Sequence, residues 1–200
     1  MLITVEGIDG AGKTTLVAGL AAALRERGRP VEVLREPGGV ELSERLRALV
    51  KDPALMVGGR AEALVYAAAR AQLVEERLRP LLDAGAWVLL DRFVDSSLAY
   101  QGAARRLGVP AVRELNAFAT GGLAPDLTLL LRLDPGVALA RAGARGEAPD
   151  RIESEAGTFW QACARAYDEL AADEPRRWRV LDATLPPERL LAEALRQLGE

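Results

Sequence analysis

The chain has 200 residues, of which 50% are hydrophobic and 28% charged, and its 26 basic and 29 acidic residues leave a formal net charge of −3 at pH 7. This length and composition predict one globular domain over residues 1–200, and the balanced charge excludes a strong overall attraction to nucleic acid or to an acidic membrane surface. The sequence contains no histidine, which excludes the serine-protease type of triad and most zinc sites, so any catalysis must use Arg, Lys, Asp, Glu, hydroxyl groups and the backbone.

Short apolar runs alternate with longer amphipathic segments, and this alternation is typical of a parallel sheet covered by helices. The predicted strands are Leu2–Glu6, Pro30–Leu34, Trp87–Asp91, Leu127–Leu133 and Trp178–Leu181. The predicted helices are Lys13–Arg27, Val40–Val50, Arg60–Ala84, Ser96–Arg106, Val109–Ala119, Gly136–Ala142, Glu155–Asp173 and Pro187–Leu198, with Gly28, Gly85 and Gly108 as C-terminal stops. We therefore expect an α/β fold with a five-stranded parallel sheet.

The cellular compartment is indicated by the cysteine content and by the lack of a targeting pattern. The single cysteine, Cys163, has no intrachain disulfide partner and suits a reducing compartment. Residues 1–6 lack a basic region followed by a long apolar stretch, and the longest apolar strand-like run, Leu127–Leu131, is too short to span a membrane. We expect a cytoplasmic protein without a membrane anchor.

A phosphate-binding loop directly follows the first predicted strand. Its pattern, G-x-x-x-x-G-K-S/T, is fulfilled by Gly7-Ile8-Asp9-Gly10-Ala11-Gly12-Lys13-Thr14-Thr15. Such a loop turns backbone N–H groups towards phosphate oxygens, while Lys13 spans the β- and γ-phosphates and the Thr14 hydroxyl can bind Mg²⁺. The alternative is a glycine-rich turn that binds nothing, but the strand before the loop and the helix after it both favour a nucleoside triphosphate site.

A second charged pair follows the third predicted strand. Asp91 suits the water shell of a metal ion, and Arg92 would point out of the carboxyl end of the strand, where α/β sheets bind ligands. A solvated ion pair is the simpler interpretation of these two residues alone. Next to the phosphate loop, however, they suggest a second phosphate. Switch GTPases are excluded because they need an N-K-x-D segment, and the only lysines are Lys13 and Lys51.

The segment 141–151 combines glycines, a proline and three arginines with few apolar residues. These arginines are Arg141, Arg145 and Arg151. The composition is typical of a mobile basic flap, and we interpret the segment as a lid.

Several stretches together resemble the thymidylate kinase family, the P-loop nucleoside monophosphate kinases that phosphorylate dTMP. The stretches that carry this resemblance are Val5–Thr15, Arg35–Gly39, Tyr66–Gln72, Asp91–Gly102, Pro125–Thr128, Asp150–Glu153 and Asp182–Thr184. The resemblance implies a P-loop NTPase fold, with helices on both faces of the sheet and an arginine-rich lid. It also implies transfer of the ATP γ-phosphoryl group to dTMP, Mg²⁺ as the cofactor and a homodimer.

The resemblance assigns roles around the base. It makes Arg35 a contact on the phosphate side, puts Pro37 after a cis Glu36–Pro37 bond, stacks Tyr66 on thymine and lets Arg70 donate to a thymine carbonyl. From the residues alone, Pro37 belongs to a turn, and Tyr66 and Arg70 share one helix face as an arginine packed over an aromatic ring.

The resemblance also assigns roles around the acceptor phosphate and the sugar. Arg92 would hold the acceptor phosphate, Ser97 and Gln101 would contact the base, and Tyr100 would lie against the deoxyribose. Asp9 would meet a sugar hydroxyl of the acceptor or the metal shell, although it could also cap the loop locally. The neighbouring Ser96 has two equally good interpretations, a short donor near the base or the N-cap of its helix.

Members of this family differ in where an additional catalytic arginine lies. The loop residues Gly10 and Ala11 supply none, so the chain resembles the bacterial type that carries it in the lid. This assigns Arg145 and Arg151 to the transferred phosphoryl group and Arg141 to the adenine. The loop containing Ala183 would lie beside the adenine, or it could simply lead into the last helix.

Two alternative functions remain at this point. One is a kinase for another monophosphate or for a deoxynucleoside, which only the base-contacting residues would distinguish. The other is a nucleotide-dependent switch or binding module, which the lid arginines argue against.

Overall fold

A computed structural model describes residues 1–143 and 150–200, except for the side chain of Ala142. Its centre is a five-stranded parallel sheet with the strand order β2-β3-β1-β4-β5. The strands are β1 (Leu2–Glu6), β2 (Val31–Arg35), β3 (Trp87–Asp91), β4 (Leu127–Arg132) and β5 (Trp178–Asp182). The predicted sheet is confirmed, and each strand end lies within one residue of its expected position.

The helices connect the strands. They are α1 (Lys13–Glu26), α2 (Glu41–Lys51), α3 (Gly59–Leu73), α4 (Arg79–Asp83), α5 (Val94–Ser97), α6 (Val109–Thr120), α7 (Pro135–Gly143), α8 (Gly157–Asp173) and α9 (Pro187–Leu198). Two π-helical segments extend α-helices: Val74–Leu78 joins α3 to α4, and Leu98–Ala104 continues α5.

These π-helical segments correct two predictions. The helix expected over Arg60–Ala84 is interrupted at Val74, and the α-helix expected over Ser96–Arg106 begins earlier, at Val94, and is π-helical from Leu98. A π-helical turn adds a residue without changing the apolar stripe enough for periodicity to detect it. The other helix ends lie within two residues of the predicted ones, and differences of this size are usual at fraying ends.

Alternating residues of the central strand pack on opposite faces of the sheet, so both faces are buried. Ile3 and Val5 belong to a cluster that includes residues of α1, α8 and α9, whereas Leu2 packs with Leu73 and Leu78 on the other face. This explains why β1 has apolar residues at both even and odd positions, since a parallel strand covered on both faces has no solvent side. Helices on both faces of the sheet are therefore confirmed.

The carboxyl ends of β1, β3 and β4 meet at one edge of the sheet. Val5 is opposite Asp91 in the β1–β3 register, and Glu6 is opposite Leu130 in the β1–β4 register. The loop that follows Glu6 is therefore next to Arg92, as expected for a ligand site at the carboxyl ends of parallel strands. In the part of the chain that the structure describes, no helix has both the length and the apolar composition of a membrane span.

Candidate active site

The phosphate-binding loop contains backbone conformations with positive φ, which glycine adopts without strain. Gly10 has a φ of +84°, and a Cβ atom there would lie 2.3 Å from the carbonyl oxygen of Ala138. Gly12 has a φ of +92° and immediately precedes α1. The N-terminus of α1 thus opens directly into the site, where its free N–H groups and its dipole favour an anion.

Lys13 holds its positive charge at the start of α1 in a largely buried position. Its side chain is 7% exposed, and its ammonium group donates to the carbonyl oxygen of Ile8 at 2.9 Å and lies 3.8 Å from the Asp9 carboxylate. Burial and the nearby Arg92 charge lower the pKa of Lys13 to about 8, against the opposing effect of Asp9. Burial therefore makes the charged form of Lys13 costly, and a bound polyphosphate would stabilise it.

Arg92 lies opposite Lys13, and Asp9 lies between the two cations. The Arg92 guanidinium donates to Asp9 and to the Tyr100 hydroxyl at 3.1 Å, and it packs 5.0 Å from the centre of the Tyr100 ring. Burial raises the pKa of Asp9, but the Arg92 and Lys13 charges outweigh this effect and lower the pKa to about 2. Asp9 is therefore ionised at neutral pH and bridges the two cations.

The backbone of Arg92 is strained, and Glu6 supports it. Arg92 has a φ of +71°, which is unusual for a residue other than glycine. The buried Glu6 carboxylate accepts from the next backbone N–H, that of Phe93, at 2.7 Å and from the hydroxyls of Ser96 and Tyr167 at 2.6 and 2.9 Å. The Ser96 oxygen in turn accepts from Arg92 at 3.1 Å. Ser96 thus has a bonding role here, and the N-cap of α5 is Phe93.

Thr14 and Asp91 form the predicted metal position. The Thr14 hydroxyl donates to the Asp91 carboxylate at 2.9 Å, beside the phosphate loop. Within residues 1–143 and 150–200 no group of three or more Cys, Asp and Glu side chains could enclose a metal ion. A hydroxyl and one carboxylate nevertheless fit Mg²⁺, which keeps several waters and takes most of its other ligands from phosphates.

On the other side of the site, Arg70 is held by a complete set of hydrogen bonds. Its guanidinium donates to Glu36 at 2.7 Å, to Ser97 at 2.9 Å, to the carbonyl oxygen of Phe93 at 3.0 Å and to Asn116. The second oxygen of Glu36 is buried and has no hydrogen-bond partner among residues 1–143 and 150–200. A second nitrogen of Arg70 lies 2.6 Å from the same Glu36 oxygen, so all three guanidinium nitrogens have partners among the described residues. A base carbonyl would therefore have to compete with these partners for a donor.

Tyr66 lies one helical turn before Arg70 on α3 and lines the same cavity. Burial raises the pKa of its hydroxyl to about 12, so the ring remains neutral. Gln101, in the π-helical segment after α5, is 2% exposed and lines the cavity. The four residues predicted to contact a base, Tyr66, Arg70, Ser97 and Gln101, therefore line the same cavity.

Strand β2 and helix α2 contribute further cations to the cavity lining. Arg35, at the end of β2, pairs with Glu44 at 2.8 Å and donates to the Pro37 carbonyl oxygen at 3.2 Å. Arg47 donates to the same carbonyl at 3.0 Å. The peptide bond before Pro37 is cis, as the resemblance implied. Arg47 was not predicted, although its spacing of four from Lys51 places both on one face of α2.

The described ends of the lid have different environments. Arg141 donates to the carbonyl oxygen of Ala183 at 2.9 Å, which brings together the two residues assigned to the adenine side. Arg151 instead donates to Glu62 at 2.6 Å and to the carbonyl oxygen of Val50 at 2.9 Å. Arg145 lies outside the described residues. Arg151 does not line the cavity, so its assignment to the phosphoryl group gains no support from its contacts.

These side chains surround a cavity of about 390 Å³, lined by five arginines and two lysines against three aspartates and two glutamates. The net positive lining suits a ligand with several phosphates. The predicted residues that line it are Asp9, Gly10, Gly12, Lys13, Thr14, Thr15, Arg35, Pro37, Tyr66, Arg70, Asp91, Arg92, Ser97, Tyr100, Gln101 and Arg141. The lining residues without a predicted role are Glu36, Arg47, Lys51, Ser96, Asp150, Ile152 and Glu153.

Three predicted loop residues and Ala183 contribute in other ways. Gly7, Ile8 and Ala11 belong to the loop but are not among the lining residues, and the Ile8 and Ala11 side chains are buried in the core. The Ala183 side chain is buried too, and only its carbonyl contacts Arg141.

Comparisons with known proteins all point to the same family, thymidylate kinase. A family model described as thymidylate kinase matches residues 5–194. The chain is 50% identical to the thymidylate kinase of Deinococcus radiodurans over 200 residues, which cover 100% of this chain and 97% of that protein. It is 47% identical to the thymidylate kinase of Oenococcus oeni over 203 residues, which cover 99% and 94%. A crystal structure of thymidylate kinase from Ehrlichia chaffeensis has a TM-score of 0.81 at 28% identity and covers 99% of this chain and 98% of that one.

Proposed function

The chain belongs to the thymidylate kinase family and phosphorylates dTMP to dTDP with ATP as the donor, and we propose that the cavity described above is where it does so. The observation that carries this proposal is the placement of Lys13 and Arg92 on either side of Asp9. One cation is available for the donor phosphates and the other for the acceptor phosphate. A coupled assay of ADP release with a panel of monophosphates tests it, because release must depend on dTMP.

The acceptor requires no base in this mechanism. The second pKa of a phosphate monoester is about 6, so the attacking oxygen is already ionised at neutral pH. Phosphoryl transfer then rests on alignment and charge neutralisation, which is consistent with a chain that has no histidine.

We assign the donor side to the phosphate loop and the acceptor side to Arg92. Lys13 and the N-terminus of α1 hold the triphosphate, and Arg141 with the Ala183 loop faces the adenine. Arg92 aims the dTMP phosphate, with Tyr100 beneath it against the deoxyribose. Asp9 keeps Arg92 oriented through their ion pair before the acceptor arrives.

We assign Mg²⁺ to Thr14 and Asp91. The Thr14 hydroxyl would bind the ion directly, and the Asp91 carboxylate would accept hydrogen bonds from its waters. When bound, Mg²⁺ neutralises charge that develops on the donor phosphates. The 2.9 Å contact between the two side chains supports this assignment, because it holds both oxygens beside the loop.

The acceptor preference is the first testable prediction. We expect dTMP to be the best acceptor and dUMP to be slower but active, because one methyl group in a pocket is worth only about 1–3 kcal/mol. The ribose analogue of dTMP should be rejected, because we assign Tyr100 to the side of the deoxyribose where a 2′-hydroxyl would have to go. Initial rates with each acceptor at saturating ATP measure the order. Equal turnover of dTMP, dCMP and dGMP would show that this cavity does not select thymine.

We also propose that the chain forms a homodimer through α3 and α6, which pack against each other. Ala61, Leu64 and Ala68 form an exposed apolar stripe on α3, and Ala111 and Phe118 are exposed on α6. The Phe118 side chain is 89% exposed and that of Leu64 is 58% exposed. Such a patch on two adjacent helices favours a self-complementary contact with a second copy.

Replacing Phe118 with glutamate should convert the dimer to a monomer, because the charge would be buried against the partner without a counterion. Light scattering coupled to size-exclusion chromatography measures the mass. Val180→Glu is the matched control, since Val180 is an exposed apolar residue on the far edge strand β5 and should leave the dimer intact. A dimeric Phe118→Glu variant, or a monomeric wild-type chain, would refute this interface.

The domain organisation and the compartment also remain proposals. A family match that runs from residue 5 to 194 supports one kinase domain over the whole chain. The free, buried Cys163 is compatible with a reducing cytoplasm, where we propose that the enzyme acts.

A further inference from the structure

The buried carboxylate of Glu62 is a feature that the mechanism above does not use. Glu62 lies in the first turn of α3 and is completely buried. It accepts from Gln101 at 2.8 Å and from Arg151 at 2.6 Å, and Arg105 lies 3.1 Å away. One buried side chain thus connects a residue assigned to the base with the C-terminal end of the lid.

The partners of Glu62 fix which atom of Gln101 it contacts. Two guanidinium groups flank Glu62, and its carboxylate offers only acceptor oxygens. The Gln101 amide must therefore present its NH₂ group to Glu62. The remaining polar atom of the amide is its carbonyl oxygen, and Gln101 lines the cavity.

We propose that Glu62 is a positioning residue that selects the base by fixing the Gln101 amide, so that its carbonyl oxygen is the hydrogen-bond acceptor offered to the base. An acceptor matches the imide N–H at N3 that thymine and uracil share. It repels cytosine, whose N3 is itself an acceptor. This proposal rests on the proposed function, because it concerns the acceptor base at the same site.

Replacing Glu62 with glutamine tests the idea with little change of volume. A glutamine has one acceptor oxygen, and the closer charged partner, Arg151 at 2.6 Å, should retain it. The new NH₂ group then faces Gln101, whose carbonyl oxygen must turn to accept from it. The Gln101 NH₂ group would face the base and would suit the N3 atom of cytosine.

The measured quantity is kcat/KM for three acceptors, dTMP, dUMP and dCMP. In Glu62→Gln we expect the ratio of dCMP to dTMP to rise by about tenfold or more, since one buried mismatched polar contact is removed. The ratio of dUMP to dTMP should stay within twofold of the wild-type value, because both bases carry the imide N–H. A general loosening of the pocket would move both ratios together.

Glu155→Gln is the matched control. Glu155 also pairs with Arg105, at 2.5 Å, and is partly buried, but it has no contact with Gln101 among the described residues. Its ratios should equal those of the wild-type chain. If Glu62→Gln does not fold, Glu62→Asp keeps the charge and shortens the side chain, which removes the 2.8 Å contact to Gln101 and should raise the dCMP ratio in the same direction.

The outcomes separate this inference from the proposed function. An unchanged dCMP ratio in a folded Glu62 variant, with dTMP still preferred by the wild-type chain, would overturn the role of Glu62 alone. An equal fall in kcat/KM for all three acceptors would show a purely structural role and would also overturn it. A wild-type chain without preference for dTMP would instead refute the assignment of the cavity.

Discussion

Replacing Lys13 with alanine should lower kcat on the order of 10³-fold, because a preorganised charge aimed at the transferred group is lost from a buried site. Lys13 is 7% exposed and has a pKa lowered to about 8 by burial and Arg92, so water does not screen its charge effectively. The KM for dTMP should change little, since Lys13 serves the donor phosphates. Steady-state kinetics with both substrates varied, together with dTMP binding by calorimetry, measure the two effects separately.

Lys51, the only other lysine, provides the comparison for this prediction. It lines the same cavity, but its ammonium group is paired with Asp150 at 2.5 Å and is 31% exposed. Pairs of this exposure contribute about 0–1 kcal/mol, so Lys51→Ala should cost less than about tenfold in kcat. Equal losses in the two variants, or near-normal turnover in Lys13→Ala, would contradict the role given to the phosphate loop.

The second large effect is expected for the lid arginine at position 145. An arginine that contacts the transferred phosphoryl group contributes on the order of 10³-fold or more in related phosphoryl transfer, and the loop residues Gly10 and Ala11 supply none. We therefore expect Arg145→Ala to lower kcat on the order of 10³-fold with a much smaller rise in the KM for dTMP. This pattern would identify a contact that forms only in the transition state.

Arg151 is expected to behave differently from Arg145, although the sequence suggested one role for both. Its guanidinium is already bound to Glu62 and to the Val50 carbonyl, so Arg151→Ala should weaken substrate selection and stability more than kcat. Arg45→Ala, in which an exposed i,i+4 pair with Glu41 is lost, should leave all kinetic constants within twofold. A double Arg145/Arg151 variant with near-normal kcat would remove the lid from the catalytic mechanism.

The features that depend on residues close together in the sequence could be predicted from the sequence. A buried parallel strand requires a continuous apolar run, and the phosphate loop needs its glycines and its lysine at fixed spacing. For this reason Leu2–Glu6 and Lys13 lie where they were expected. The resemblance added residues far apart in the chain, such as Tyr66 and Gln101, which the fold brings to one wall.

The contacts between charged residues could not be predicted in this way, because any arginine in the chain can pair with several acids. Arg70 and Glu36 pair across 34 residues, and Arg151 and Glu62 pair across 89. Sequence spacing gives no information about such pairs, because they depend on how the helices pack on the sheet. The π-helical turn that carries Gln101 has the same origin, since tertiary packing and not local propensity sets it.

The strand order has a consequence for synthesis of the chain on the ribosome. In the described part of the chain, strand β1 pairs only with β3 and β4, and β2 pairs only with β3. The first 86 residues thus contain two strands that do not pair with each other. One of them, Leu2–Glu6, has three apolar residues out of five. At the usual rate of translation, β1 has no pairing partner for on the order of ten seconds, until Trp87–Asp91 is synthesised. During that interval the nascent chain exposes an aggregation-prone, strand-forming segment. We therefore expect this N-terminal region to depend on chaperones until the third strand leaves the exit tunnel.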